Sequence, residues 1–236
     1  MAGNAPALVE IDLNTCSMRA ILTGLERLFK LILNDRSNEC TEGIQMSSAR
    51  HDRQETIKKA TQLFWEKGFH ATSMRNLQDV IDLRPGSIYA SFGSKEGLFR
   101  ETLQCYANSS LERLAKHAAS LPPLDALKAF ITESVSTAKG SSPSDMCMLA
   151  KTVAELTQDN AELLAEAKRL LKTIEVAFTE LAAKAQQQGA LDKDKDPQRI
   201  ASFLQMQLMG LKAYSRATDG KANIKALIDD AFAGLS

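Results

Sequence analysis

TSMRNLQDVIDLRPGSIYASFGSKEGLF, Thr72 to Phe99, is the stretch that decides the fold. Leu77, Val80 and Ile81 make one apolar face and Ile88 and Phe92 another, at the spacing of helical turns. Between them Asp82-Leu83-Arg84-Pro85-Gly86 leaves room only for a sharp corner. Two short helices joined by so tight a turn fit a helix-turn-helix whose second helix enters the major groove of DNA. The same pattern also suits a structural helix pair.

Outward from the corner, local signals bound each helix. Thr72 is placed to cap the first, which runs to about Ile81, because its hydroxyl can accept from a free backbone donor. Pro85 opens the second, over 85–92, since the donor it lacks is unpaired in a first turn anyway. Gly93 ends that helix, and Ser94 caps a third that begins Lys95-Glu96-Gly97-Leu98-Phe99 and continues to about Ala119. Upstream, Ser47, Ser48 and Asp52 offer caps for a helix over Gln54–Lys67. It has Ile57, Ala60, Leu63 and Phe64 on one side and Lys58, Lys59 and Lys67 on the other. Gly68 stops it in the left-handed position that other residues adopt only at a cost.

Downstream, Pro122-Pro123 breaks the chain, and helices are expected over Leu124–Ala138, about Ser144–Leu156, Ala161–Gln188, Pro197–Arg216 and Lys221–Leu235. Leu164, Leu171, Ile174, Phe178 and Leu181 form the ridge of the longest. No stretch alternates with period two, so the fold class is all-α. Three parts are expected: 1–45 as an N-terminal extension, 46–100 as the helix-turn-helix head and 101–236 as a larger helical body. Within the extension, Met18–Leu33 carries a helical stripe of Ile21, Leu25, Leu28 and Ile32. It suits either a loosely ordered arm or an added packing helix.

Composition excludes some classes. The chain has 236 residues, 44% hydrophobic and 25% charged, as in an ordinary globular protein rather than a disordered one. It lacks the roughly 18 uninterrupted apolar residues of a membrane span, so no membrane partner is expected. Met1–Pro6 carries no basic side chain, which argues against a secretory signal. Cys16, Cys40, Cys105 and Cys147 form no CxxC pair, a pattern of reduced thiols in the cytoplasm. The formal net charge is zero, yet residues 47–100 hold nine Lys/Arg against six Asp/Glu. A positive end on a slightly negative body suits phosphate binding.

The run Gly68-Phe69, Thr72, Leu77, Gly86, Ile88-Tyr89, Phe92 and Ser94-Lys95-Glu96-Gly97-Leu98 resembles the signature of the tetracycline-repressor (TetR/AcrR-like) family. Most of the weight falls on Ile88-Tyr89-Ala90-Ser91-Phe92-Gly93-Ser94-Lys95-Glu96. The resemblance covers Thr56 to Thr102. It implies a homodimer that binds a palindromic operator in double-stranded DNA and releases it when a small-molecule effector enters the C-terminal body. On these positions Tyr89 and Lys95 are expected at phosphates, Lys95 in a first helical turn already disposed toward anions. Thr72 would add a hydroxyl to the DNA backbone. Base reading falls to Ser87, Ala90 and Ser91, with Arg75 or Arg84 reaching guanine or phosphate, and Gly86 permits close approach. Each has a plainer reading: Tyr89 as core, Thr72 as cap only, and the small residues as mere absence of a clash. Arg50 and Arg53 suit a DNA-binding arm or a solvated helix start. The chain departs from the family pattern at Gln78, Asp82 and Arg84, and Arg84 cannot cap a helix as Ser does.

For the body, Phe130, Met146, Cys147, Met148, Leu149, Val153, Leu171, Ile174 and Phe178 are the expected effector-pocket lining, and Met-rich apolar walls suit an apolar or aromatic ligand. The same residues describe an ordinary packed core. Cys147 is either a redox or electrophile sensor or a small buried hydrophobe. The last two expected helices carry Phe203, Met206, Leu208, Ile224, Leu227, Ile228 and Phe232. Pairing these across a two-fold axis would make a four-helix bundle and hold the recognition helices about one DNA turn apart, roughly 34–36 Å. His51, His70 and His117 have no partners at metal-ligand spacing, and no GxSxG, P-loop or GxGxxG occurs. Neither a cofactor nor an enzyme activity is expected. The competing class is a helical binding protein or enzyme that uses the helix-turn-helix only as scaffold.

Overall fold

The computed structural model describes residues 45–81, 84–136 and 144–235, and no strand occurs among them. In chain order the helices are α1 (Gln45–Lys67), α2 (Met74–Ile81), α3 (Pro85–Phe92), α4 (Lys95–Ser120) and α5 (Pro123–Ser136). The remainder are α6 (Met148–Glu155), α7 (Ala161–Gln187), α8 (Pro197–Ala217) and α9 (Ile224–Ala233), with a 3-10 turn at Gln158–Asn160. Residues 1–44, Asp82 and Leu83 of the corner, the loop 140–143 and the Arg50 side chain lie outside the described residues, and so do the expectations placed on them.

An aromatic knot holds α1 to α4. The Phe99 ring lies 4.8 Å from Phe64 and 5.0 Å from Phe69, centroid to centroid, and all three are buried. Burying such a side chain contributes about 1.5–3 kcal/mol. Leu77 and Ile81 of α2 and Ile88 of α3 are buried as well, whereas Val80 faces solvent rather than the apolar face expected of it.

Two glycines are needed where they stand. Gly68 ends α1 at φ +87°, a left-handed conformation that glycine adopts at least cost. Gly97 is required by proximity, since a Cβ there would stand 2.0 Å from Phe92 O. That closeness lets Ser94 cap α4, its Oγ accepting from Gly97 N at 3.1 Å. The expected boundary between 100 and 101 falls within α4, which runs on into the body, and the described residues belong to one compact unit.

In the body α7 and α8 pack along each other, α5 and α6 lie against α7, and α9 folds back on α5 and α8. Asp196 caps α8 through Gln198 N. The α7 face turned inward carries Leu163, Ala167, Leu170, Ile174, Phe178 and Leu181, while Leu164 and Leu171 of the expected ridge are half-buried. The helix expected from Ser144 begins only at Met148, and Met146 N donates to Ser144 Oγ across the preceding turn. One further expectation is corrected. Leu208, Ile228 and Phe232, expected on a dimer face, are buried in the chain's own core because α9 packs inward.

Candidate nucleic-acid interface

Helix α3 has two unlike faces. Ile88 and Phe92 turn into the core, whereas Gly86, Ser87, Tyr89, Ala90 and Ser91 are exposed. Tyr89 is 49% exposed, which rules out its reading as a core residue. Arg84 precedes the helix with extended backbone and makes no side-chain cap, as expected of a group with no acceptor. Arg84 and Arg75 are both exposed. The result is a surface of small side chains, one phenol and flanking guanidinium groups, with little bulk to hold a duplex away.

Thr72 and Arg53 are placed differently from expectation, and Lys95 packs beside an aromatic ring of the head. Thr72 is fully buried and its hydroxyl donates to Gly68 O at 2.6 Å, so it neither caps α2 nor faces solvent. The cap is Ser73. Its Oγ accepts from Asn76 N at 3.1 Å while Asn76 Oδ1 accepts from Ser73 N at 3.0 Å, a reciprocal capping box. Lys95 places its ammonium 4.3 Å from the Phe69 ring centroid. Burial lowers its pKa, against which Glu96 and Glu155 act. Arg53 pairs with Glu101 at 2.6 Å and lies 4.8 Å from the centroid of the Phe92 ring, so it braces α3 and α4 rather than forming a free arm.

The residues expected to line a pocket lie on or next to α5, α6 and α7. Phe130 and Phe178 meet edge to face at 5.7 Å. Cys147, Met148, Leu149 and Ile174 are buried beside half-buried Met146, Val153 and Leu171. Leu171 O accepts from the buried Gln205 amide at 3.1 Å. Burial raises the Tyr106 phenol well above its usual range, and the neighbouring Cys147 thiol adds to this.

A brace between body and head had no signal in the sequence. Trp65 Nε1 donates to Met146 O at 2.6 Å. Lys151 Nζ donates to Glu66 O at 2.8 Å and Trp65 O at 3.1 Å. The Glu155 carboxylate accepts from His70 N at 2.7 Å and Phe69 N at 3.1 Å. Lys151 thus satisfies carbonyls that the end of α1 leaves free, and Glu155 the donors of the turn after it. Both side chains stand on α6, which also carries Met148, Leu149 and Val153 of the expected pocket lining. Lys212 was overlooked as well. It lies in the inward stripe of Leu204, Leu208 and Leu211 and is 5% exposed.

Residues 57–102 match the profile described as "Bacterial regulatory proteins, tetR family", and residues 123–230 match "Tetracyclin repressor-like, C-terminal domain". Among curated relatives, the HTH-type transcriptional repressor ComR of Escherichia coli (strain K12) is 25% identical over 186 residues, spanning 76% of this chain and 87% of ComR. The HTH-type transcriptional repressor DhaR of Mycobacterium sp. (strain GP1) is 26% identical over 155 residues, 64% of this chain and 76% of DhaR. Among solved structures, a cysteine mutant of the TetR-family transcriptional regulator CifR, complexed with double-strand operator DNA, superposes with a TM-score of 0.70. It is 21% identical and covers 85% of this chain and 100% of its own, a likeness that carries the fold. The two profiles follow one another along the chain and describe the two ends of one architecture, an N-terminal helix-turn-helix and a C-terminal helical body. They and the curated relatives describe regulators of transcription, not enzymes. The chain therefore belongs to the tetR family of bacterial regulatory proteins.

Proposed function

We propose that this chain is a ligand-responsive, cytoplasmic transcriptional repressor. As a homodimer it binds a palindromic operator and releases it when a small apolar or aromatic molecule enters the body. The observation that carries this is the two-faced α3, anchored by Ile88 and Phe92 and presenting Ser87, Tyr89, Ala90 and Ser91 outward. CifR, captured on operator DNA, lends the fold-level parallel. Responsiveness is supported by α6, which carries both pocket lining and the brace on α1. For the dimer, Val176, Met206 and Tyr214 are apolar or aromatic residues left exposed on α7 and α8, and a second copy would cover them. A gel shift on the promoter beside the chain's own gene tests the reading. Binding should weaken steeply as salt rises, since phosphate contacts release counterions. Absence of any shift at low salt defeats it.

A second reading has one observation in its favour. Cys147 neighbours both the Tyr106 phenol and the Lys212 amine, so a quinone entering the body would meet a thiol beside polar groups. Addition would form a C–S bond and move the thiol proton onto the quinone. Mass spectrometry after mild quinone or peroxide treatment tests it, and an unmodified Cys147 rejects it.

A further inference from the structure

Lys212 holds an amine in the interior of the body with few partners. Its Nζ makes one hydrogen bond among the described residues, to the backbone carbonyl of Ser134 at 2.8 Å, and no carboxylate among them pairs with it. An ammonium carries three donors. The hydroxyl of Ser134, itself 5% exposed, has no partner among the described residues. Two buried polar groups at one place thus have spare hydrogen-bonding capacity, where folded proteins ordinarily leave little. The surroundings are aromatic. The Trp65 ring centroid lies 5.9 Å from Lys212 Nζ, and Tyr106 meets Trp65 edge to face at 5.0 Å.

We propose that Lys212 and Ser134 form the acid-binding end of the effector site, and that the effector is a small molecule with an aromatic or apolar body and one carboxylate. The carboxylate accepts hydrogen bonds from Lys212 Nζ and Ser134 Oγ, and the body of the ligand lies against Trp65 and Tyr106. This rests on the reading of the chain as a ligand-responsive regulator and narrows its ligand. The chemistry is complementary in both halves. A buried cation favours an anion because charge-assisted hydrogen bonds are the strong ones, and flat aromatic walls favour a flat or apolar body. Burial lowers the Lys212 pKa, with Arg113 acting in the same direction and Cys147 and Asp145 against it. A bound carboxylate would act against that lowering, since a nearby opposite charge favours the charged form. The site also adjoins the brace, because Trp65 is the residue whose Nε1 reaches Met146 O, at the start of the segment that carries Lys151 and Glu155.

Trp65 is the only tryptophan in the chain, so its fluorescence reports on the site directly. The full chain is titrated with phenylacetate against phenylacetamide, and with 1-naphthylacetate against its amide. The expected result is a saturable change in which at least one carboxylate binds about tenfold or more tightly than its amide. Lys212→Met abolishes that preference and Ser134→Ala reduces it, with circular dichroism confirming folded variants. The proposal is overturned if neither carboxylate gives a saturable response, if acid and amide bind alike, or if the preference survives in Lys212→Met. Operator binding is measured in parallel. Loss of DNA binding with the carboxylate preference intact removes the regulator reading and keeps the site, whereas intact DNA binding without the preference removes the site alone.

Discussion

Glu155 Oε1 lies 2.7 Å from the amide nitrogen of His70, 85 residues away in the chain. The partner oxygen takes the Phe69 amide at 3.1 Å, so one carboxylate of the body holds the turn that follows the first helix of the head. Hydrogen bonds to a charged group contribute more than neutral ones. Glu155 is half-exposed, which reduces the gain. Glu155→Ala is expected to lower stability by about 1–2 kcal/mol in urea unfolding and to speed amide hydrogen exchange at Phe69 and His70. Unchanged exchange at both amides contradicts the brace.

Tyr89 separates affinity from stability. Its ring is half outside the fold, and its phenol is proposed to meet a DNA phosphate. Tyr89→Phe should cost about 1 kcal/mol of operator affinity, roughly fivefold, by the loss of one hydrogen bond, with an unchanged melting temperature. A shifted melt with unchanged affinity would place Tyr89 in the fold instead.

Met206 tests the dimer. At 60% exposure it is the most exposed large apolar side chain among the described residues, and it stands on the outward side of α8. Met206→Lys sets like charges against each other across an isologous contact and should give a monomer by light scattering at micromolar concentration. A persistent dimer moves the interface elsewhere.

Lys212 gives a pH dependence whose sign is determined. Its folded pKa is lowered from 10.5, chiefly by burial, so between the folded value and 10.5 the unfolded chain holds more protons. Stability therefore rises as pH climbs through that window, and below it the cost of the charged amine is fully present. Lys212→Met removes the group. The variant should be more stable at neutral pH, on the order of 1 kcal/mol, and should lack this share of the alkaline-side rise. A loss of stability at neutral pH contradicts the cost assigned to the buried amine.

Local chemistry made the head legible. Gly68, Pro85, Gly93 and Ser94 each mark a helix end within a turn of where it falls, and the two faces of α3 follow from Ile88 and Phe92. Thr72 and Ser73 show the limit of such signals. Both can cap, and the choice went to Ser73 because Asn76 returns its hydrogen bond while Thr72 turns inward to Gly68. The brace and the Lys212 cluster were illegible for a different reason. Glu155 and Lys151 meet backbone atoms more than eighty residues away, and backbone partners leave no mark in side-chain patterns. Leu208, Ile228 and Phe232 were apolar on a terminal helix pair, and only the direction in which α9 folds back distinguishes a core face from a dimer face.

The outward face of α3 is proposed to read DNA, and fluorescence anisotropy on a labelled duplex of the chain's own promoter is the direct test. Wild-type protein should bind saturably at low salt and weaken steeply with added salt. Ala90→Glu, which adds bulk and negative charge to that face without touching the core, should abolish binding and leave the thermal melt unchanged. Equal binding by wild type and Ala90→Glu, or no binding by either, would contradict the claim.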